Sequence, residues 1–499
     1  MKIKKVVASL FAAGAMVSPL AYATNGMNLA GYGPVSESMG GVSMAYDNGT
    51  AAVINNPATL GFMASGTSRL DVALGDLMPD AASQGAGSLA KNFYMPAMGY
   101  IRKSDNIAFG VGLMGQGGMG TKYSNSSAFG SLNSVNFATG PAPLATQTQE
   151  NKSEVGVGRV MFPLAYSVSP DLNIGGSIDY VWAGMDVQWL IDGTHFADML
   201  PAAMNPGATR TFGAVAQTST ILAPFMAGIG GGVGQFIQLN YGYFNFNSPS
   251  TFDQKAKGTG WAGNVGFTYK INPALTIGGV YHAKTSLSDM KTGTSDATAS
   301  FNVTGPQLFG PGTAGTMTIP LTGQVIIKNF QWPETYGFGL AYQANDQWNL
   351  MADYKRIGWA GVMKNFNMAF VSDGSASNVA FGMGNKTLDL SYYQNWGDQD
   401  VFQFGAAYKY NDALTLRFGG NFANNPIPDQ YVTPLFPAIM KDHYTGGLGY
   451  AFSKENSVDV SFVYAPKVTV TNKWSAAGGS NQTISLGGTG WQAMYSHLF

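Results

Sequence analysis

The sequence predicts an all-β protein, namely a fourteen-stranded antiparallel transmembrane β-barrel with an N-terminal plug of short helices in its lumen. Near the C-terminus, one face of each candidate strand is apolar and rich in aromatic residues, while the other carries small, polar and charged side chains. One such strand sets Val458, Val460, Phe462 and Tyr464 against Ser457, Asp459 and Ser461. A soluble β-sandwich also alternates, so this period alone does not decide between the two classes.

Composition favours the membrane barrel. Only 11% of the residues are charged, 13% are aromatic, 66 are glycine and none is cysteine, which suits a long β chain and excludes disulfides. The 27 Lys and Arg nearly balance the 28 Asp and Glu, but Lys2, Lys4 and Lys5 lie in an apparent leader. The mature chain is therefore acidic, which argues against nucleic acid as a partner.

The first 23 residues have the form of a secretory signal peptide. A basic stretch, Lys2–Lys5, precedes the apolar run Val6–Val17, and Ala21-Tyr22-Ala23 forms a cleavage site. We expect residues 1–23 to be removed and the mature chain to begin at Thr24. An exported chain whose strands present apolar faces points to the outer membrane of a Gram-negative bacterium.

Residues 24–66 do not follow the strand pattern and are predicted to form a compact plug, or hatch, inside the lumen. The stretch is rich in small residues, and Asn55-Asn-Pro-Ala58 punctuates it. A flexible tail would usually be more charged and less apolar. Its apolar residues recur at loosely helical intervals: Met27, Leu29, Val35, Met39, Val42 and Met44.

Residues 67–499 are predicted to form the barrel, and an even number of strands allows it to close without exposed edges. We expect strands at 67–77, 92–102, 106–115, 155–168, 172–188, 257–270, 275–288, 324–343, 347–366, 387–410, 413–423, 442–453, 456–470 and 485–499.

The connections between these strands alternate in length, which a sandwich has no reason to do. Tight turns such as Ser169-Pro-Asp171 and Asn411-Asp412 alternate with long connections, chiefly 116–154, 189–256 and 289–323. Outer-membrane barrels have short periplasmic turns and long extracellular loops. Both termini are then periplasmic, and the closing strand ending at Phe499 is expected to engage the barrel-assembly machinery.

Several segments resemble the FadL/TodX family of outer-membrane transporters for long-chain fatty acids and other hydrophobic compounds. The hatch segment Gly26-Met-Asn-Leu29, followed by SMGGVSMAYDNGTAAVINNPATL, carries the family's NPA signature at Asn56, Pro57 and Ala58. Further similarity lies in Gln331-Trp-Pro-Glu334, in Pro426–Asp429 and in SKENSVDVSFVY from Ser453 to Tyr464.

This resemblance implies a fourteen-stranded barrel plugged by an N-terminal hatch. Ligand would enter a groove between extracellular loops, pass to a lumen pocket that the N-terminus touches, and leave sideways at a kinked third strand. Gly26, Met27 and Leu29 are the matching N-terminal residues. Inward parity adds Lys355 and Arg417, either of which could meet a fatty carboxylate, although a lumen cation is more often paired with an acid.

The predicted third strand runs into a glycine-rich segment that we take as the lateral opening. Glycines weaken the hydrogen-bonded ladder and permit a bulge, and a proline in a neighbouring strand cannot donate to the ladder. The alternative is that these residues merely begin a loop. The residues concerned are Gly115, Gly117, Gly118, Gly120, Pro96 and Pro163.

Two long loops carry apolar residues that would be exposed unless they fold over the mouth of the barrel. There they could form a first binding groove, or they could pack only the loop's own core. These residues are Leu222, Phe225, Met226, Ile229, Phe236 and Phe309.

The predicted function is passive transport of fatty acids or hydrocarbons, by binding in the lumen and lateral release into the membrane. An alkyl chain loses about 0.8 kcal/mol per CH₂ returned to water, so a water-filled channel suits it poorly. The alternatives are a general porin, which would lack a hatch, and a surface adhesin or receptor that uses the long loops. We expect a monomer in contact with outer-membrane lipid and lipopolysaccharide, with no cofactor, no metal and no enzymatic activity, because the four histidines are scattered and no catalytic motif is present.

Overall fold

One antiparallel sheet of 25 strands forms the molecule. The computed structural model describes residues 25–136, 139–201, 210–215, 218–224, 238–249, 253–305, 315–472 and 481–499. The predicted signal peptide, residues 1–23, lies outside the described residues. Within the described ranges, no helix combines the length and apolar character needed to cross a bilayer.

A circuit of paired strands closes the barrel. Its last strand pairs with its first from Arg69↔Leu498 to Ser83↔Ile484, so every strand of the circuit has a neighbour on both sides. In order around the barrel, the strands are β1 (Ser68–Ser83), β3 (Phe93–Ser104), β4 (Ile107–Tyr123), β7 (Asn151–Ser167), β8 (Leu172–Asp192), β11 (Ala256–Asn272), β12 (Leu275–His282), β17 (Thr335–Gln343), β18 (Trp348–Ile357), β21 (Gln399–Lys409), β22 (Leu414–Ala423), β23 (Asp442–Ala451), β24 (Asn456–Asn472) and β25 (Gln482–Leu498).

Other strands extend the sheet beyond this circuit, mainly as a cap over one end. They are β2 (Ala86–Gly87), β5 (Leu132–Asn136), β6 (Gly140–Leu144), β9 (Gly213–Val215), β10 (Gln238–Phe246), β13 (Ser286–Leu287), β14 (Met290–Lys291), β15 (Ala297–Gly305), β16 (Gly315–Lys328), β19 (Asn365–Ser372) and β20 (Thr387–Tyr393). The cap branches from the barrel on β8, which changes partner along its length. Up to Met185, β8 pairs with β11, and from Val187 onward it pairs with β10.

The predicted fourteen-stranded barrel is wrong as a description of the sheet, which has 25 strands, eleven of them outside the closed circuit. The long connections were taken for loops, but much of their length is paired strand. Their apolar side chains, such as Phe244 and Phe301, are buried in the cap instead of facing lipid. The predicted strands 324–343 and 387–410 each merge two separate strands, one of the cap and one of the barrel circuit.

The outer face of the barrel is apolar and bordered by aromatic side chains. Near the short turns, Trp348 packs against Tyr408 and Phe418, and further up the wall Tyr180 packs edge-on against Trp261. On β11, Trp261 and Tyr269 are both exposed, and at about 3.3 Å per residue they lie roughly 26 Å apart. This spacing fits the apolar band of an outer-membrane barrel, which is about 25 Å tall.

Residues 25–63 lie inside the circuit and contain a short α-helix, Pro34–Glu37, and the 3-10 helices Gly49–Val53 and Pro57–Phe62. We call this segment the plug. Further helical turns, at Ser126–Phe129, Gly193–Met199, Trp359–Gly361, Ala376–Ala380 and Asp429–Tyr431, lie in connections between strands. The plug contacts wall strands around the circuit and occupies most of the lumen at this level.

Glycines in the wall permit this contact. At several of them an added Cβ would come within 3.0 Å of a plug atom, a distance that real Cβ atoms essentially never show. They are spread around the circuit: Gly99 on β3, Gly112 on β4, Gly175 on β8, Gly266 on β11, Gly278 on β12, Gly405 on β21, Gly419 on β22 and Gly447 on β23.

Gly405→Val is expected to dislodge the plug, because a Cβ at Gly405 would lie 2.7 Å from Met39 Cβ and 2.9 Å from Val42 Cγ2. Overpacking of this kind costs about 1–3 kcal/mol. We expect a lower unfolding temperature and higher ion conductance in planar bilayers. The matched control is Gly446→Val, whose Cβ would have its nearest neighbour at 3.7 Å. Equal conductance in the two variants would contradict this account of the wall glycines.

Candidate functional site

The motif Asn56-Pro57-Ala58 ties the plug to the wall. The Asn56 amide donates to Met44 O at 2.7 Å within the plug and to Phe267 O on β11 at 3.1 Å. Its Oδ1 caps the following 3-10 helix by accepting from Ala58 N at 3.2 Å, and Pro57 takes the first helical position, where no N–H is needed. The motif is thus a structural joint between plug and barrel.

Carboxylates hold the plug from both sides. Asp353 on β18 accepts the backbone N–H groups of Ser43 at 2.6 Å and Met44 at 3.0 Å. Asp71 on β1 accepts Thr50 N at 2.7 Å. Charged acceptors make stronger hydrogen bonds than neutral ones, so these contacts fix the register of the plug against the strands.

Glu37 on the plug is buried beside β24 and accepts a hydrogen bond from the Ser461 hydroxyl. No cation of the described residues lies within ion-pair distance of it. Burial raises the pKa of the Glu37 carboxyl to about 7, because hydrogen bonds from Ser461 and Gln492 offset only part of the lost hydration.

The N-terminal end of the plug docks on β4. Asn28 forms an isolated bridge with Gly117, and Gly118 N donates to Met27 O at 3.1 Å. A Cβ on Gly117 would lie 2.0 Å from Met27 O, so only glycine permits this approach. At the same place the pairing of β4 with β7 shifts by a bulge between Gly115 and Gly117.

The ladder between β3 and β4 stops early. It ends at Met98↔Leu113, although β3 extends back to Phe93 and β4 continues to Tyr123. Pro96 lies in the part of β3 that β4 does not pair, and Gly115–Gly120 is the facing part of β4. The prediction that a loop begins at residue 116 is wrong, because these glycines lie within a long strand.

Pro163 lies elsewhere. It is buried on β7, on the other side of β4, where the β4–β7 ladder skips the pairs between Phe109↔Leu164 and Gly112↔Met161. The gap between β3 and β4 therefore includes Pro96 and the four predicted glycines but not Pro163.

An apolar cavity lies above the N-terminal end of the plug. Met27 forms part of its lining, and no charged side chain does. The cavity joins the plug, the barrel and the cap, since its lining comes from all three: Met27, Met119, Val155, Met185, Val187, Trp189, Phe330, Met363, Phe366, Tyr392, Gln394, Thr433, Leu435 and Phe436.

Three tryptophans lie in a row between this cavity and the N-terminal end of the plug, which is docked on β4. The Trp332 and Trp359 rings are 5.6 Å apart and the Trp359 and Trp396 rings 5.2 Å apart, both edge-on. Trp332 Nε1 donates to Asn28 Oδ1 at 2.7 Å, and a Cβ on Gly26 would touch Trp359. The cluster forms one wall around the N-terminal end of the plug.

A second cavity, with both polar and apolar lining residues, lies among the plug and strands β4, β12, β17 and β18. Leu29 and Lys355 line it together with His282, whose Nε2 lies 3.1 Å from Asn55 O. Arg417 lines neither cavity, because it is paired with Asp459 at 2.7 Å. The predicted lumen residues therefore do not line a single cavity. Met27 lines the apolar cavity, whereas Lys355 and Arg417 lie away from it.

Five of the six residues predicted to form a loop groove lie outside the described residues: Phe225, Met226, Ile229, Phe236 and Phe309. Leu222 is buried with the apolar residues of the cap.

The cavity residues Trp189, Phe366, Tyr392 and Gln394 were missed by the sequence interpretation. Trp189 begins the predicted connection 189–256 and Phe366 ends the predicted strand 347–366, whereas Tyr392 and Gln394 lie within the predicted strand 387–410. Nowhere in the described ranges do three or more His, Asp or Glu side chains group as ligands for a metal ion.

A closed sheet with an apolar exterior, a filled lumen and an apolar cavity above the filling defines the class as an outer-membrane transport protein. The family model for outer membrane protein transport proteins (OMPP1/FadL/TodX) matches residues 9–491, and the chain belongs to this family. The resemblance inferred from the hatch segment is thereby confirmed, as is outer-membrane localisation.

Solved structures agree. The toluene transporter TbuX of Ralstonia pickettii is 29% identical, with a TM-score of 0.69 over 95% of this chain and 99% of that one. The toluene transporter TodX of Pseudomonas putida is 27% identical, with a TM-score of 0.71 and the same coverage. Outer membrane protein P1 of Haemophilus influenzae is 24% identical over 239 residues, 48% of this chain and 44% of that protein. The chain spans less than half the length of the curated relatives it matches.

The stability of the folded protein should fall as pH rises, through Glu37. The pKa of the Glu37 carboxyl, about 7, lies above the usual 4.5. The contribution of the protonated carboxyl to stability is therefore complete below pH 4.5 and is lost as pH rises through 7. Glu37→Gln should remove this part of the dependence, which we expect to be roughly 2 °C in unfolding temperature between pH 5 and pH 8. The control is Glu455→Gln in an exposed turn. An unchanged pH slope in Glu37→Gln would refute the assignment.

Proposed function

We propose that this chain carries small, uncharged hydrophobic molecules passively across the outer membrane, on the scale of a single aromatic ring. The observation that carries the proposal is a cavity whose lining is almost wholly apolar and contains no charged side chain. Transfer of a ligand's apolar surface from water into such a cavity is favourable by about 25 cal/mol per Å². The toluene transporters at 27% and 29% identity support the same ligand class.

The lack of charge in the cavity favours hydrocarbons over fatty acids. An ionised carboxylate without a cationic partner is costly to bury. Lys355 lies in the second cavity, and Arg417 is already paired with Asp459. Neither of the cations predicted to meet a carboxylate supports a fatty acid in this cavity.

We infer that ligand leaves sideways, between β3 and β4. The segment Gly26–Leu29 stands between the cavity, which Met27 lines, and β4, to which Asn28 is bridged. Displacement of this segment would connect the cavity with the unpaired stretch that contains Pro96. In this proposal residues 24–66, which include the plug, close the lumen, and residues 67–499 form the barrel. A closed lumen disfavours a water-filled general porin.

We infer further that residues 1–23 are a removed signal peptide and that the barrel works as a monomer. The circuit of strands closes on itself, so no strand edge requires a second copy. Outer-membrane lipid and lipopolysaccharide would contact the apolar exterior. The C-terminal strand β25 would be the segment recognised by the barrel-assembly machinery.

Filling the cavity should abolish binding. In Val187→Trp the new ring occupies the space of a ligand ring, and we expect at least a tenfold loss of toluene affinity, measured by equilibrium dialysis of the purified protein in detergent. The control is Val265→Trp, because Val265 is 62% exposed on the outer face. Wild-type protein that binds benzoate as tightly as toluene would contradict the choice of uncharged ligands.

Closing the gap should block transport. A disulfide between Ala97→Cys and Met114→Cys would add the first pair beyond the end of the β3–β4 ladder, and it would be the only disulfide in a chain without cysteine. We expect oxidation to reduce toluene uptake by half or more, and reduction to restore it. The control pair, Met98→Cys with Leu113→Cys, lies inside the ladder. Full uptake through the oxidised gap variant would rule out this exit.

A further inference from the structure

One residue of β4 has no place in the ladder with β7, and it lies at the proposed exit. The pairing passes from Gly115↔Gly158 directly to Gly117↔Val157, so Gln116 is the extra residue of the bulge. Its side chain points into the lumen, where it is 7% exposed and lines the second cavity. A bulge residue is left unpaired by the sheet, so its polar groups need partners from elsewhere.

The wall of the barrel holds the Gln116 side chain. Arg159 Nε donates to Gln116 Oε1 at 2.6 Å, and Arg159 Nη1 donates to Asp179 Oδ2 at 2.7 Å. The Asp179 carboxylate also accepts a hydrogen bond from the Ser177 hydroxyl, and Arg159 and Asp179 are both buried. Because the guanidinium group is planar and Asp179 on β8 fixes its orientation, the Gln116 amide is held in one position as well.

The plug holds the Gln116 main chain. Tyr32 Oη donates to Gln116 O at 2.8 Å. The Tyr32 backbone is tied to the body of the plug, because Asn55 Nδ2 donates to Tyr32 O at 2.9 Å. Asn55 directly precedes the joint Asn56-Pro57-Ala58, which is bonded to β11. Tyr32 is therefore anchored in the part of the plug that is fixed to the wall, outside the segment Gly26–Leu29 that moves in the proposed exit.

We propose that Gln116 is a positioning residue of the lateral exit. Held by Arg159 and Tyr32, it keeps the bulge in β4 and so prevents β4 from pairing with the start of β3. The inference rests on the exit proposed above and names the contacts that maintain it. A buried ion pair is weak evidence for stability, because well-packed hydrophobic residues often do as well in its place. The geometry that Arg159 and Asp179 impose on Gln116 accounts for the pair. Without these contacts, β4 would straighten and approach β3 beyond the present end of the ladder.

The first test measures how often the two strands meet. Disulfide formation is followed at a fixed oxidant concentration in the purified full-length protein that carries Ala97→Cys and Met114→Cys. Adding Gln116→Leu keeps the approximate size of the side chain and removes the acceptor. It should speed cross-linking about 3- to 10-fold, since one hydrogen bond that holds the bulge is lost. The matched control is Gln403→Leu on β21, on the opposite side of the circuit, where a fully buried glutamine amide binds the plug. Its cross-linking rate should equal that of the parent.

The second test separates binding from transport. In Gln116→Leu without the cysteines, toluene uptake should fall by half or more. Toluene affinity should stay that of the wild type, because Gln116 does not line the apolar cavity. Gln116→Glu keeps an acceptor for Arg159 and should retain uptake. A residue that only stabilised the barrel would lower the unfolding temperature and would change neither the cross-linking rate nor the relation between binding and uptake.

A further variant keeps the proposal testable if Gln116→Leu fails to fold. Tyr32→Phe removes only the hydroxyl that binds Gln116 O, and it should also speed cross-linking and slow uptake. Its control is Tyr123→Phe, which removes a buried hydroxyl further along β4. Unchanged cross-linking in both Gln116→Leu and Tyr32→Phe, or equal acceleration in Gln403→Leu, would overturn the proposal. Cross-linking needs no ligand, so wild-type protein that neither binds nor takes up toluene would refute the proposed function separately.

Discussion

The fit between the plug and the wall depends on one constraint, the absence of Cβ atoms where the two meet. Plug atoms approach glycines on strands all around the circuit more closely than any side chain would permit. Protein interiors are as densely packed as organic crystals, so a lumen of this width must be either tightly filled or wet. Because the wall glycines have no Cβ, the plug can pack closely against the wall. They also explain a composition with 66 glycines, many of them in strands, where glycine is otherwise unfavourable.

Polar and apolar contacts are divided between two levels of the lumen. Lower down, Asp353, Asp71 and Asn56 bind backbone groups of the plug, so buried polar groups find partners. Higher up, methionine and aromatic side chains surround a space with almost no polar surface. Met27 and Asn28 form the boundary, with one lining the apolar cavity and the other bonded to Trp332 and bridged to β4. Methionine suits such a boundary because its flexible side chain adapts to ligands of different shape.

The sequence predicted those features that depend on local pattern. Alternation located the strands of the barrel, short polar turns located one rim, and the glycines near Gly117 marked an irregular strand. The cap strands were missed because their apolar faces are covered by other parts of the cap, so their pattern, as in Ala297–Gly305, has none of the aromatic exposure of the lipid-facing strands. Lys355 donates to Gly41 O of the plug and Arg417 is paired with Asp459, but parity along a strand gives neither height in the lumen nor an ion-pair partner. Gln394 and Trp396 follow the end of β20 and carry no periodic signal at all.

The bridge between Asn28 and Gly117 bears on how tightly the barrel is sealed against ions. If that segment moved away, as the proposed exit requires, Gly118 N on β4 would lose its acceptor, Met27 O, and a buried N–H without a partner costs about 1–3 kcal/mol. A hydrocarbon offers no replacement acceptor, so the proposed open arrangement would be higher in free energy than the closed one. In this proposal, the main-chain hydrogen bonds that favour the closed arrangement act against salt leakage whichever hydrophobic molecule the protein carries.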